Sequence, residues 1–282
     1  MKVGLAQIAP NSDDPVATLE GHLAALEQAR AAGAELVVFP ELSLSGYLVD
    51  EPRAWADEFL DASIEALRAA AGGATVLAGA PWPHAGGGAT NAVVAISSEG
   101  VIARQDKIHL TNYGGYTEGR RFTPADRFAV ASIAGRRVAI LICADAWYPA
   151  LGYAARHEGA ELFIHPSASA VSGVSESFAS DGAWTTINRA QALYHTRPVV
   201  FVNYAGGDRD TSFWGGSCVV APTGTELAQL GDAPELRVVS IEDADTLAAR
   251  ELLRMSEDED TRLSFATLSR VAEARSSEEA GQ

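Results

Sequence analysis

Apolar positions along the chain fall into two spacings. Short apolar runs bounded by turn residues, such as "KVGLAQI" at 2–8, "AELVVFP" at 34–40 and "ATVLAGAP" at 74–81, predict β-strands. Between them, Val16, Leu19, Leu23 and Leu26 recur at three- and four-residue steps, which predicts a helix near 15–32 with one apolar face. A second helix is predicted near 54–71. "TNAVVAISSEGVIARQDKIHL" (90–110) reads as a hairpin turning at Ser98-Glu99-Gly100, so the sheet is expected to be mixed. After a loop rich in Gly, Thr and Pro (111–126), the alternation returns: strands "RFAVASIA" and "RRVAILIC", a helix near 150–158, the strand "ELFIHP", a helix near 180–195, the strand "PVVFVNY" and the hairpin "SCVVAPTGTELAQL".

Strands alternating with helices define an α/β class. The two runs are not divided by a Pro- or Ser-rich linker, which predicts two halves of a single domain over 1–282, with its core at 2–242. The extension at 243–282 has helical spacing at Leu247, Leu252 and Leu253. Its acidic stretches "SEDEDTR" and "SSEEAGQ" read as solvated ends.

Charge narrows the function. A formal net charge of -16 repels phosphate backbones and anionic lipid, so nucleic acid and membrane surfaces are not expected partners. No apolar run reaches the roughly 18 to 20 residues that span a bilayer. Two cysteines cannot build a disulfide framework, and "MKVGLAQIAP" is patterned as a strand rather than a signal segment, so a cytoplasmic protein is expected. His22, His84, His109, His157, His165 and His195 form no helical i, i+4 pair and no partnership with a Cys-x-x-Cys motif. "AGGGA" at 85–89 lacks the ending of a phosphate loop, so neither a metal nor a cofactor is expected.

Taken singly, Glu41 in "ELVVFPELSLSGY", Lys107 in "ARQDKIHL" and Glu118 in "YGGYTEGRRFTP" read as ordinary solvated residues. Cys143 and Cys218 read as small buried hydrophobes. Cys143 differs in closing an apolar run, with Asp145 and Trp147 just after it. A thiol with a pKa near about 8.5 is mostly protonated at neutral pH, so a nucleophilic cysteine needs a base or a cation beside it. Glu41 supplies the one and Lys107 the other. In that assignment Cys143 attacks an amide carbonyl and forms a thioester. Lys107 and the Ala144 N–H hold the oxyanion, Glu41 moves the proton, and Glu118 positions Lys107 or the amide.

These segments resemble the nitrilase superfamily of carbon–nitrogen hydrolases, with its Glu, Lys and Cys in that chain order. "FPELSLSGY" resembles the motif of the base, "KIHL" that of the lysine, "TEGRRFTPA" the loop of the second glutamate and "LICADAWYP" the nucleophile elbow. "KIHLTNYGGYTEGRRF", "HPSASA" and "VVFVNYAGGDRDTSFWGGS" are similar to the glutamine amidotransferase domain of glutamine-dependent NAD synthetases. Ala144 stands where that branch has a glutamate, and "VSGVSESFASDG" where it has basic residues. The resemblance implies a four-layer α-β-β-α sandwich with mixed sheets, pairing into a homodimer or higher homo-oligomer. It implies an amidase-type enzyme with no cofactor, acting on a small-molecule amide, with Tyr113, Tyr116 and Ser167 binding the substrate. No synthetase domain follows, so the ammonia formed is expected to be released or passed to a separate protein. The alternatives are a nitrilase and a non-catalytic binding protein of the same fold. Nitrile-hydrolysing members usually carry Trp directly after the cysteine, and Ala144 therefore favours an amide.

Overall fold

The computed structural model describes residues 1–171, 178–254 and 258–280. In chain order the elements are β1 (Lys2–Gln7), α1 (Pro15–Ala31), β2 (Leu36–Val38), α2 (Pro52–Ala71) and β3 (Thr75–Pro83), then the hairpin β4 (Ala89–Ser97) and β5 (Gly100–Asp106). The second half runs β6 (Ala131–Ile133), β7 (Arg136–Ile140), α3 (Pro149–His157), β8 (Leu162–Pro166), α4 (Ser180–His195) and β9 (Val199–Val202). It continues with β10 (Ala205–Asp208), β11 (Thr211–Trp214), β12 (Cys218–Val220), β13 (Glu226–Gln229), β14 (Glu235–Ser240), α5 (Asp243–Leu253) and α6 (Thr261–Ala280).

Local chemistry sets the helix ends. Asp14 caps α1 by accepting from the Ala17 N–H, and Pro15 opens the helix where a missing N–H is tolerated. α2 likewise opens on Pro52 and stops at Gly72, whose φ of 59° other residues rarely adopt.

Two six-stranded sheets result, ordered β14-β1-β2-β3-β4-β5 and β13-β12-β9-β8-β7-β6. Each has three parallel strands at its centre and antiparallel strands outside them. The inner faces meet in a dry core of Val3, Leu5, Leu36 and Val38 against Ile140, Ile164, Val200 and Val202. On the outer face of the first sheet, Leu26, Trp55, Leu60 and Leu67 of α1 and α2 pack with Val37, Val76 and Val94. On the second, Ala155, Trp184 and Ala192 of α3 and α4 pack with Phe163 and Phe201. The layers therefore run α-β-β-α. Among the described residues no helix is long and apolar enough to cross a membrane.

Several expectations need correcting. Of the face expected for α1, Leu26 is buried and Leu19 and Leu23 pack half-buried against the core, but Val16 is 62% exposed, and Thr18, His22 and Ala29 complete the buried face. Polar residues can line it because His22 stacks on Phe39 at 4.3 Å and its Nδ1 lies 2.7 Å from the Thr18 carbonyl. The strands expected at 127–134 and 136–143 shorten to β6 and β7. The pairing of β10 with β11 and the strand β14 were not foreseen. In α5, Leu247 and Leu252 face solvent while Ala249 is buried. The acidic stretch after it is not wholly solvated, because Glu259 pairs with Arg156 and accepts from Tyr153 on α3. Residues 256–257 and 281–282 of the acidic stretches lie outside the described residues.

Truncating the core between the sheets is expected to be costly. Ile164→Ala should lower unfolding free energy by about 2–5 kcal/mol, read from the urea midpoint at unchanged m-value.

Candidate active site

β2 ends at Val38, and two residues further Pro40 turns the chain so that Glu41 lies beyond the C-terminal edge of the first sheet. Leu42 then adopts φ 51°, in the left-handed region that costs a branched residue about 1–3 kcal/mol. Three contacts hold it there: Tyr204 Oη donates to the Leu42 carbonyl (3.0 Å), the Leu44 N–H to the Gly79 carbonyl (2.9 Å) and the Gly79 N–H to Ser43 Oγ (3.1 Å). Gly79 on β3 lies so close beneath this turn that a Cβ there would overlap the Leu42 nitrogen and stand 2.8 Å from the Glu41 carbonyl carbon.

Lys107 follows the last residue of β5. Its N–H donates to the Asn91 carbonyl (2.7 Å) and its carbonyl accepts from the Ala125 N–H (2.9 Å), which fixes the backbone and turns the side chain inward. The ammonium is fully buried, 2.6 Å from Glu41 Oε1 and 2.9 and 2.8 Å from Glu118 Oε1 and Oε2. Each carboxylate has further donors. Glu41 accepts from Asn91 Nδ2 (2.7 Å) and from the Ala168 N–H (3.1 Å). Glu118 accepts from Tyr47 Oη (2.7 Å) and the Thr111 N–H (2.9 Å).

The second sheet supplies the thiol. β7 stops at Ile140, and Cys143 opens a single 3-10 turn, Cys143–Trp147, at φ 45°. This is a strained, sharply turned strand-to-helix elbow of the kind that exposes a nucleophile. Asp145 ties the elbow to the Lys107 segment by accepting from the N–H groups of Ile108 (3.3 Å) and His109 (2.8 Å). His109 stacks on Tyr148 at 3.6 Å. Gln191 Nε2 of α4 donates to the Ala146 carbonyl (2.7 Å) and clamps the turn from outside. Ala168, whose N–H donates to Glu41, lines the same cavity as Cys143, so the carboxylate's donor and the thiol stand on one wall.

Burial and charge set the protonation states. Burial raises the Glu41 carboxyl above the usual range and the charge of Glu118 adds to this, while Lys107 opposes it. Burial lowers Lys107, but Glu118 and Glu41 outweigh it and hold the ammonium well above the ordinary lysine range. The Cys143 thiol is pushed up by burial and then by Glu41, with Lys107 a partial counterweight. The resting site is therefore a neutral thiol beside a buried ammonium shared by two carboxyl groups.

A cavity of about 30 Å³ opens beside the sulfur, walled by Tyr47, Thr111, Tyr113, Tyr116, Trp147 and Trp184 with Ala144, Ala168, Ser169 and Ser180. The structure thus brings Glu41, Lys107, Glu118, Cys143 and Ala144 together and sets Tyr113 and Tyr116 on the wall. Tyr113 is 48% exposed at the rim, and Tyr116 is fixed by the Ala170 N–H donating to its hydroxyl (3.2 Å). Ser167 is not on the wall. It is fully buried, with its hydroxyl directed to the His165 carbonyl (3.4 Å), and Ala168 and Ser169 take its place. Residues 172–177 of "VSGVSESFASDG" lie outside the described residues. Asn203 holds the 168–170 segment: its amide donates to the Ser169 and Gly215 carbonyls (3.1 Å each) and accepts from the Ser169 N–H (2.8 Å). Sequence reasoning missed Tyr47, Gly79, Asn91 and Asn203. The only signal was a polar residue set in an apolar strand, as Asn91 is in "ATNAVVAIS".

Among the described residues no cluster of three or more His, Cys, Asp or Glu side chains is placed to hold a metal ion.

The carbon–nitrogen hydrolase family profile matches residues 2–251. A hydrolase of Mycobacterium tuberculosis is 32% identical over 274 residues, covering 89% of this chain and 92% of that one. A glutamine-dependent NAD(+) synthetase of Thermotoga maritima is 30% identical over 86% of this chain, which spans 42% of the synthetase. Among solved structures, a variant of the amidase from Nesterenkonia sp. AN1 superposes with a TM-score of 0.77 at 26% identity, covering 94% of this chain and 96% of that one. It shows the acetamide moiety of fluoroacetamide covalently added at its active-site cysteine.

Two outcomes follow from the geometry. The ultraviolet thiolate signal that distinguishes the protein from Cys143→Ala should stay flat to about pH 9, because burial keeps the sulfur protonated. Gly79→Ala should destabilise the fold by about 1–3 kcal/mol through overpacking and change the rate at which iodoacetamide alkylates Cys143, since the Glu41 turn must move.

Proposed function

Because the chain belongs to the carbon–nitrogen hydrolase family, we propose that it hydrolyses a linear amide through a Cys143 thioester. The carrying observation is the fully buried Lys107 ammonium between Glu41 and Glu118, with Ala168, whose N–H donates to Glu41, lining the same cavity as Cys143. Glu41 takes the thiol proton as sulfur attacks the carbonyl carbon. The negative charge moves from Glu41 to the new oxyanion, which the Lys107 ammonium and the Ala144 N–H receive, so the buried net charge does not change. Collapse breaks the C–N bond, Glu41 returns its proton to the departing nitrogen, and ammonia or an amine leaves. Water then attacks the thioester with Glu41 again as base, and the acid departs. One oxyanion donor is worth about a hundred- to thousandfold in rate, and a positioned base about as much.

The substrate is read from the wall. Among the described residues, none lining the cavity beside Cys143 bears a charged side chain, and the space is small. Burying a zwitterionic acyl group such as that of glutamine without partners would cost several kcal/mol. A short uncharged acyl group is therefore favoured, and the acetamide held by the Nesterenkonia amidase supports this. Glutamine is the second candidate, supported by the similarity to the synthetase.

Incubation with acetamide, propionamide, glutamine and propionitrile, followed by ammonia release, tests the reading. Propionamide should be consumed fastest and the nitrile not at all, and Glu41→Gln should trap an acyl adduct on Cys143 detectable by intact mass. Release of ammonia by Cys143→Ala at the unmodified rate would defeat the proposal. Tyr116, with Tyr47, lines both the inner cavity and an outer pocket of about 480 Å³ that also has Arg121 and Arg209 on its wall. Tyr116→Ala should therefore raise kcat/KM for benzamide relative to propionamide, measured as a ratio.

A further inference from the structure

Tyr47 ends the same "FPELSLSGY" segment that carries Glu41. It lines the cavity, and its hydroxyl donates to Glu118 Oε1 at 2.7 Å. That oxygen is also 2.9 Å from Lys107 Nζ, while Oε2 takes the Thr111 N–H (2.9 Å) and Lys107 (2.8 Å). Four donor contacts on two oxygens use the lone pairs of the carboxylate and leave it one rotation. Without the hydroxyl, Oε1 keeps only the ammonium, and Lys107 is drawn off its 2.6 Å contact with Glu41. The ring itself is held independently, edge-on to Tyr116 (6.0 Å) and Phe213 (6.3 Å), with Arg121 Nη1 donating to the Tyr47 carbonyl (3.1 Å).

We propose that Tyr47 is a positioning residue for amide hydrolysis, its hydroxyl holding the Glu118 carboxylate so that Lys107 is shared with Glu41 and keeps an N–H for the reacting carbonyl. The inference rests on the amide-hydrolase reading above. Glu41 is faced by Lys107, Glu118 and Cys143 and by the hydroxyls of Tyr47, Tyr116 and Tyr204. Lys107 is the one cation in that set. When it withdraws, burial and Glu118 raise the Glu41 carboxyl further, and a base that must be ionised then acts only at higher pH.

The test is Tyr47→Phe, which keeps the ring. With propionamide as substrate, kcat should fall about tenfold to a hundredfold, as expected for losing a hydrogen bond to a charged group, while KM changes little. The acid limb of kcat/KM should move up by about one pH unit. The pH profile of Cys143 alkylation by iodoacetamide should shift the same way, and this readout needs no substrate. A variant with a lower melting temperature but unmoved kcat and pH limb would make Tyr47 merely structural and overturn the proposal. If the unmodified protein turns over none of the amides but the alkylation profile still shifts, the substrate reading fails and the positioning role stands. If neither profile moves, the positioning role fails.

Discussion

The structure depends on one buried cation. An ammonium taken out of water costs several kcal/mol even after relaxation, and only close charge partners with good hydrogen bonds offset that. Lys107 has two carboxylates, and each of these is held by further donors from Asn91, Ala168, Tyr47 and Thr111. The partners come from the turn after β2, the strand β4, the segment after β8 and the loop before Glu118. Any displacement among those pieces would leave a buried charge unmatched, so the network holds the ends of both sheets in register with each other.

The thiol enters this network from the opposite sheet. Cys143 follows β7 and the Ala168 segment follows β8, so both lie past the C-terminal ends of parallel strands, where α/β sheets gather their ligands. Glu41 does the same in the first sheet after β2. Packing the two sheets face to face puts these edges together, and local strain completes the approach. The left-handed turns at Leu42 and Cys143 aim the carboxylate and the sulfur inward. Asp145 and Gln191 then keep the Cys143 turn from relaxing, and Tyr204 does the same for Leu42. The strain is tolerated because both turns are braced by neighbours from other elements, Tyr204 and Gly79 at Leu42 and Gln191 at the elbow.

Much of the fold was legible along the chain. The β4–β5 hairpin, the helices α2, α3 and α4 and the alternation of both halves follow from apolar spacing and turn residues, because burial of one face imposes a period. Where burial is not the deciding force, the pattern misleads. The inner face of α1 carries His22 and Thr18, since a ring stack and a local hydrogen bond satisfy them. The spacing of Leu247 and Leu252 marks a helix whose leucines face water. β10 (Ala-Gly-Gly-Asp) has no apolar run and β11 (Thr-Ser-Phe-Trp) is too short to show a period, so their pairing leaves little signal.

By itself the sequence determined the class of fold, most of the alternation of its strands and helices and the four residues proposed above to carry the chemistry, because periodicity, turn residues and the motifs around Glu41, Lys107, Glu118 and Cys143 are local properties. Tertiary structure alone decided what those residues became. It placed Glu118 rather than solvent on Lys107, set Ser167 behind the wall and Ser169 on it, and gave Tyr47, Gly79, Asn91 and Asn203 roles that their positions along the chain do not reveal. The physical reason is that protonation, strain and pocket shape depend on which groups meet in the absence of water, and the spacing of residues along a chain does not record those meetings.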